Sequence, residues 1–367
     1  MKHKNMPIYH SLLPLSFLYG IGVRIRNALF DSGILKSRSF PVPVICVGNL
    51  TVGGTGKTPH TEYLIRLLKP TFRVAVLSRG YKRESKGFVQ ASGLTTAKDI
   101  GDEPYQMAHK FTDICVAVDK NRCHGIEQLT QSMREKPEVI ILDDAFQHRH
   151  VLPGLSILLT DYNRPFFSDK MLPAGRLREP AEGKRRADII IVTKCPDHID
   201  EKEIRSLQKK IAATDKQTLY FTRMAYGMLH PLSPDAPTRD FRSLSGAGII
   251  LVTGIASPAP IVKKLSAYTR HIIPLTFGDH HAFSAKDISR IRQAFRQCGS
   301  AEKIIITTEK DAARLACHPL LDETIRKNTY TLPITVEFIN EKEKQYFNSQ
   351  IISYVRKNSR NSSLSEG

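Results

Sequence analysis

Among the six cysteines (Cys46, Cys115, Cys123, Cys195, Cys298 and Cys317) there is no C-x-x-C pair. That absence excludes a zinc finger, and a chain this long has no need of a disulfide framework. Single, scattered cysteines are expected as small buried hydrophobes in a reducing compartment, which points to the cytosol. No apolar run reaches the roughly 20 residues that cross a bilayer. Internal repeats are also lacking. Acidic residues are in short supply: 36 Asp+Glu face 54 Lys+Arg, for a net charge of +18. Such a surplus suits an anionic partner, whether nucleic acid, a phosphorylated metabolite or an anionic membrane surface, and composition alone does not choose.

What is present builds a folded protein. With 41% hydrophobic and 25% charged residues the chain can bury a sizeable core,. Its 367 residues correspond to about two domains,.

The one segment with membrane character is the uncharged run Ser11–Val23, followed by Arg24, Arg26, Lys36 and Arg38. It is too short to span, and Ala28-Leu29-Phe30 continues an amphipathic pattern where a secretory signal would show a cleavage site. Two readings stand: a helix lying in the membrane interface, or an amphipathic helix packed on its own domain.

From residue 43 onward, short β-branched runs alternate with helical patterns. Strands are expected at Val42–Gly48, Arg73–Ser78, Ile114–Val118, Val139–Asp143, Leu155–Thr160, Asp188–Thr193, Gly248–Thr253, Ile272–Thr276 and Lys303–Thr307. Several are continuously apolar, as strands buried on both faces must be. Helices are expected at Thr58–Leu68, Asn121–Glu135, Asp200–Ala213, Pro260–Tyr268 and Ala285–Gln297. The fold class is therefore α/β with a mainly parallel sheet flanked by helices. A polar, Pro-rich stretch near Pro231–Arg239 suggests a second lobe, and a helical pattern over Glu341–Lys357 runs into a tail, Asn358–Gly367, expected to be disordered,.

The most informative segment is Gly48-Asn49-Leu50-Thr51-Val52-Gly53-Gly54-Thr55-Gly56-Lys57-Thr58-Pro59. A buried strand enters a Gly-rich turn and leaves as a helix. Glycines allow successive backbone N–H groups to converge on phosphate oxygens, and the helix N-terminus adds its dipole. In this P-loop reading Thr51, Gly53, Gly54, Thr55 and Gly56 line the phosphates, Lys57 reaches the β/γ-phosphates and the Thr58 hydroxyl ligates Mg²⁺. Thr51 stands where the usual motif has its first glycine. Val52 stands where ATPases of the deviant Walker type carry lysine. Thr193-Lys194-Cys195-Pro196 has proline where guanine specificity needs aspartate, which argues against a GTPase.

Asp143 and Asp144 end the most apolar strand, a position suited to holding Mg²⁺ or its water shell, although helix capping would use the same residues. Gly101-Asp102-Glu103-Pro104 opens a helical stretch. Asp102 reads either as a cap or as the group that accepts the proton of an attacking hydroxyl. Phe277-Gly278-Asp279-His280-His281 places two histidines in a loop without the further ligands of a metal site,.

Together these segments resemble the tetraacyldisaccharide 4′-kinase family of lipid A biosynthesis over nearly the whole chain. The likeness rests on the phosphate loop and on Ser78-Arg79-Gly80-Tyr81, Gly101-Asp102-Glu103-Pro104 and Asp143-Asp144-Ala145-Phe146-Gln147-His148-Arg149. It continues through Leu172-Pro173-Ala174-Gly175-Arg176-Leu177-Arg178-Glu179, Thr253-Gly254-Ile255-Ala256, Asp279-His280-His281 and Thr308-Glu309-Lys310-Asp311. The family's Thr-x-Gly-Gly-Thr-Gly-Lys-Thr form accounts for Thr51, and Arg176 stands where some relatives carry proline.

The resemblance implies a P-loop NTPase-like core (39–185), a second, smaller α/β lobe (186–335) closing over the nucleotide, a C-terminal helix (336–357) and an N-terminal membrane-interface segment (1–38). It implies transfer of the ATP γ-phosphoryl group, with Mg²⁺, to the 4′-hydroxyl of tetraacyldisaccharide 1-phosphate. Asp102 matches the family's catalytic base and His280 its dyad partner. Lys57, Thr58, Glu103, Asp143 and Asp144 would manage phosphates and Mg²⁺, with Asn49, Arg79, Gln147, Arg178 and Glu179 as further substrate-site candidates. A four-chain lipid stays in its membrane, which favours the interfacial helix, peripheral on the cytoplasmic face of the inner membrane. Anionic lipid would meet the basic surplus, with no obligate protein partner and no nucleic acid. The alternatives are a cytosolic P-loop kinase or ATPase acting on a soluble metabolite, and a nucleic-acid binder, for which no recognition helix, RRM or zinc pattern is present.

Overall fold

Runs such as Val139-Ile140-Ile141-Leu142 form strands buried on both faces, and these strands organise the molecule,. The computed structural model describes residues 8–131, 135–255, 258–278, 281–316 and 318–364, with side chains described as far as residue 359. In chain order the strands are β1 (Val44–Asn49), β2 (Val74–Ser78), β3 (Val89–Gln90), β4 (Cys115–Val118), β5 (Val139–Asp143), β6 (Leu155–Asp161) and β7 (Ile189–Thr193). They continue with β8 (Thr218–Tyr226), β9 (His230–Pro231), β10 (Gly248–Thr253), β11 (Ile272–Thr276), β12 (Lys303–Thr308), β13 (Thr329–Leu332) and β14 (Ile334–Phe338). The first helices are α1 (Leu13–Asp31), α2 (Lys57–Leu68), α3 (Ala97–Ile100), α4 (Asp102–Lys110), α5 (Arg122–Gln131) and α6 (Glu201–Ile211). After them come α7 (Ala259–Leu265), α8 (Ala285–Gln297), α9 (Glu309–Ala316), α10 (Glu323–Lys327) and α11 (Glu341–Leu364).

Two compact units result, one formed by residues 1–224 with 336–367 and the other by 225–335. The larger unit holds a nine-stranded sheet in the order β14-β8-β7-β6-β1-β5-β2-β4-β3. The pairings from β4 across to β8 are parallel, whereas β3 runs antiparallel to β4. Alternation along each strand feeds two cores. Cys46, Leu77, Leu142, Leu158 and Val192 face one side, with α5 and α6. Val47, Val76, Ile141, Leu159 and Ile191 face the other, with Leu64 and Leu68 of α2 and Phe347, Ile351 and Val355 of α11. The smaller unit has a five-stranded sheet, β11-β10-β12-β13-β9, parallel except for β9.

Residues 186–224, expected in the second lobe, belong to the larger unit, because β7 and β8 extend its parallel sheet. The expected disordered tail is helical as far as Leu364. Asn358 Nδ2 donates to Tyr354 O at 2.7 Å, and Ser359 Oγ donates to Val355 O at 2.9 Å and Glu138 O at 3.3 Å. Cys46, Cys195 and Cys298 are buried as expected, but Cys115 and Cys123 are only half-buried, and Cys317 lies outside the described residues. No described helix is long and apolar enough to cross a membrane.

The N-terminal helix is packed on the larger unit and apolar toward solvent at the same time. Its buried residues are Ser16, whose Oγ accepts from Ala174 N at 2.8 Å, Gly20, beside Met171, and Phe30 near its end. Leu15, Phe17, Leu18 and Ile25 are more than half exposed. Arg26, expected at head groups, instead donates to Gln147 O at 2.9 Å.

Candidate active site

The phosphate loop leaves β1 between β5 and β6, at the carboxyl ends of parallel strands, where α/β sheets place their ligands,. Side chains around the loop fix its shape. Asn49, fully buried, donates from Nδ2 to Thr55 Oγ1 at 2.8 Å. Thr193 Oγ1 donates to Thr55 O at 2.8 Å, while Lys194 Nζ bonds Gly54 O and pairs with Asp161 at 2.7 Å. Lys194 therefore braces the loop from the strand end where guanine-specific proteins read their base. A short ladder zips the loop to 176–178: Val52 N donates to Arg176 O and Arg178 N to Leu50 O, each at 2.7 Å. Gly53 (φ +105°) and Gly56 (φ +86°) adopt left-handed conformations that only glycine accepts cheaply,.

Lys57 opens α2, and its Nζ lies 3.7 Å from Asp144 Oδ2. Arg178 reaches the same carboxylate at 2.8 Å and also bonds Asn49 Oδ1. Burial pushes the Asp144 carboxyl up, but Lys57 and Arg178 outweigh it and hold the group below the usual range,. Asp143 is the opposite case. Burial, followed by the charges of Glu103 and Asp144, raises it to about 7, with Thr61 Oγ1 donating to Oδ1 at 3.1 Å and Oδ2 left without a partner. A buried carboxylate with one oxygen unpaired, next to a second carboxylate and the start of a P-loop helix, fits Mg²⁺, which takes one or two carboxylates plus phosphate oxygens and water. Among the described residues no group of three or more His, Cys, Asp or Glu gathers as an all-protein cage.

Glu179 is 1% exposed and acts as a tie rather than an open site. It pairs with Arg186 at 2.8 Å and accepts from Gln147 Nε2 at 2.8 Å and from Asn27 Nδ2 of α1 at 3.3 Å. Gln147 Nε2 also donates to Asn49 O at 2.8 Å, so α1, the loop after β5 and the phosphate loop share one network. Asp102 and Glu103 begin α4 after Gly101 (φ +89°), whose missing Cβ would sit 2.9 Å from Tyr81 O. Arg79 is exposed at the end of β2, and Thr58 is half-buried in the first turn of α2. His280, together with Asp279, lies outside the described residues.

Three polar residues of this region escaped the sequence reading. Arg122 is 2% exposed; its Nη1 donates to Asp119 O at 2.6 Å and its Nε has no partner. Burial lowers it to about 10 against the pull of Asp143 and Asp144. His148 carries a buried, unpartnered Nε2, and burial with the neighbouring Arg122 pushes it down to about 4, so its ring is neutral at neutral pH. His60 is buried behind the phosphate loop. Only His148 lay within a quoted motif.

The family model for tetraacyldisaccharide-1-P 4′-kinase, LpxK, matches residues 8–354. The chain belongs to the tetraacyldisaccharide 4′-kinase family. It is 55% identical over 356 residues to the tetraacyldisaccharide 4′-kinase of Phocaeicola vulgatus, covering 96% of this chain and 97% of the relative. It is 53% identical over 374 residues to that of Bacteroides thetaiotaomicron, at 100% and 98% coverage. A crystal structure of "apo" form LpxK from Aquifex aeolicus in complex with ATP superposes with a TM-score of 0.72 at 32% identity, covering 94% of this chain and 98% of that one. Membership of the tetraacyldisaccharide 4′-kinase family makes the chain an ATP-dependent kinase of lipid A biosynthesis with an α/β, mostly parallel architecture. A soluble-metabolite kinase is not favoured.

Proposed function

We propose that the larger unit carries the phosphoryl-transfer site and that the acceptor is the 4′-hydroxyl of tetraacyldisaccharide 1-phosphate. The observation that carries this reading is the braced phosphate loop, with Lys57 on Asp144 and the buried, half-partnered Asp143 beside them. Thr51, Gly53, Gly54, Thr55 and Gly56 offer the backbone cradle, and Lys57 neutralises the transferring phosphate. Thr58, Asp143 and Asp144, with Glu103 close enough to raise Asp143, would hold Mg²⁺. The cation would neutralise charge on the nucleotide phosphates. Arg178 keeps Asp144 ionised and in place.

Asp102, at the head of α4, is the proton acceptor for the attacking hydroxyl in this reading, with His280 as its dyad partner. Proximity and charge neutralisation do most of the work in phosphoryl transfer, and a positioned base adds ~10² or more in rate. Arg79, Arg122, Gln147 and the neutral ring of His148 supply polar contacts suited to a phosphorylated sugar. Glu179 orients Gln147.

The outward apolar face of α1 docks the enzyme on the cytoplasmic face of the inner membrane as a peripheral protein, where the four-chain substrate resides,. Exposed Arg24 and Lys36 meet anionic head groups there,. The test is ³²P transfer from ATP to tetraacyldisaccharide 1-phosphate in mixed micelles. Asp102→Ala is expected to lose ~10² or more in kcat with ATP binding retained. Near-normal turnover would remove Asp102 from the chemistry.

A further inference from the structure

His60 lies in the first turn of α2, 4% exposed, and none of the phosphate-handling roles above uses it. Its two ring nitrogens both have partners: Nδ1 is 2.7 Å from Gly56 O, and Nε2 is 3.1 Å from Thr222 Oγ1 on β8. A carbonyl only accepts, so Nδ1 must carry the ring proton, and Nε2 then accepts from the Thr222 hydroxyl. One tautomer satisfies both contacts.

The backbone N–H of His60 donates to the same Gly56 oxygen at 3.2 Å. Two donors therefore grip one carbonyl. The Gly56–Lys57 peptide is planar and trans, so fixing the direction of its C=O fixes the opposite direction of its N–H. That N–H belongs to Lys57, the first residue of the helix, at the position from which phosphate loops donate to an anion. Gly56 sits at φ +86°, where nothing on its own side chain restrains the peptide plane,.

We propose that His60 is a positioning residue for nucleotide binding: it holds the Gly56–Lys57 peptide with its N–H turned into the phosphate cradle, and Thr222 fixes the tautomer that allows this. The proposal rests on the P-loop reading and adds to it a restraint that comes from β8 rather than from the loop itself.

The experiment compares His60→Leu, His60→Asn, Thr222→Val and Lys57→Ala by Mg·ATP titration calorimetry and by KM and kcat in the micelle assay. His60→Leu fills the space and removes the donor; KM for ATP is expected to rise about tenfold with kcat changed less than about twofold. His60→Asn presents its Nδ2 where the ring had Nδ1 and is expected to stay within about threefold of wild type. Thr222→Val alone is expected to raise KM about threefold, and to add nothing in the His60→Leu background. Wild-type ATP affinity in His60→Leu overturns the proposal. So does an equal loss in His60→Asn and His60→Leu at matched melting temperatures, because packing alone would then account for it. If His60→Leu does not fold, Thr222→Val and His60→Asn decide by the same values. Lys57→Ala separates the two levels: if it leaves ATP affinity unchanged the P-loop reading itself fails, whereas a loss there with none at His60 sinks only the present inference.

Discussion

Two buried acids next to the phosphate loop show how neighbours set the state of identical side chains. Asp144 is held ionised by Lys57 and Arg178, while at Asp143 burial and the charges of Glu103 and Asp144 outweigh the pull of Lys57 and drive it up to about 7. Glu179 is the residue whose loss would spread furthest, since three elements converge on its carboxylate. Glu179→Ala leaves Arg186 half-buried without its partner and is expected to cost about 3 kcal/mol in urea unfolding, with KM for the lipid raised because Gln147 loses its anchor. The two suppressed histidines predict an acid sensitivity. His60 and His148 are each held near 4, below the ordinary 6.5, so below pH 6.5 the unfolded chain takes up protons that the native chain refuses,. Their contribution to stability is complete above pH 6.5 and is lost as the pH drops toward 4, while the raised Asp143 carboxyl, which takes up its proton in the native chain near pH 7, works in the opposite direction,. His60→Asn removes one of these groups, and its melting temperature is expected to fall less than wild type's between pH 7 and 5.

At the scale of elements, α1 combines two demands that usually fall on opposite faces of the same helix in reverse. Over its first turns the small residues Ser16 and Gly20 meet the protein and the large Leu15, Phe17 and Leu18 meet solvent, and only near its end does a large apolar residue, Phe30, turn inward. Phe17→Ser and Leu18→Ser are expected to weaken binding to anionic vesicles about tenfold each without moving the melting temperature, since both side chains are about two-thirds exposed,. Ser16→Leu should do the converse, lowering the melting temperature by displacing the Ala174 contact. The sequence made some elements plain and hid others for physical reasons. Strands β1, β5 and β7 are buried throughout and open on unbroken runs of apolar residues because both their faces are covered, so composition alone reveals them. Strand β8 has only its middle fully buried, and its Thr and Arg residues broke the pattern. The phosphate loop and the Asp143-Asp144 pair are contiguous in the chain and were legible. Arg122, His60 and the Glu179 network reach the phosphate loop only when distant strand ends meet, and no local spacing records that.

The whole molecule consists of two separately cored units on one chain. The two clusters that sandwich the large sheet draw only on residues outside 225–335, and the clusters of the small sheet only on residues inside it. Strands β8 and β14, which carry the chain out and back, are neighbours in the large sheet. Joining Met224 to Val336 through a short Gly/Ser turn is therefore expected to give a folded protein that still binds Mg·ATP. In the proposed reading, in which His280 partners the base, the same protein is expected to lose ~10² or more in phosphate transfer. Loss of cooperative unfolding in this variant would show that the large unit depends on the insert.

The position of α11 has a temporal consequence. Phe347, Ile351 and Val355 close one face of the large sheet, yet they are synthesised long after α1. At ~5–20 residues per second, tens of seconds separate the two events. A nascent chain can thus reach a bilayer long before it can hold a nucleotide, and ribosome-arrested chains ending before residue 335 should bind vesicles but not ATP. Delivery to the lipid surface would then precede competence to spend ATP, by the order of the elements alone.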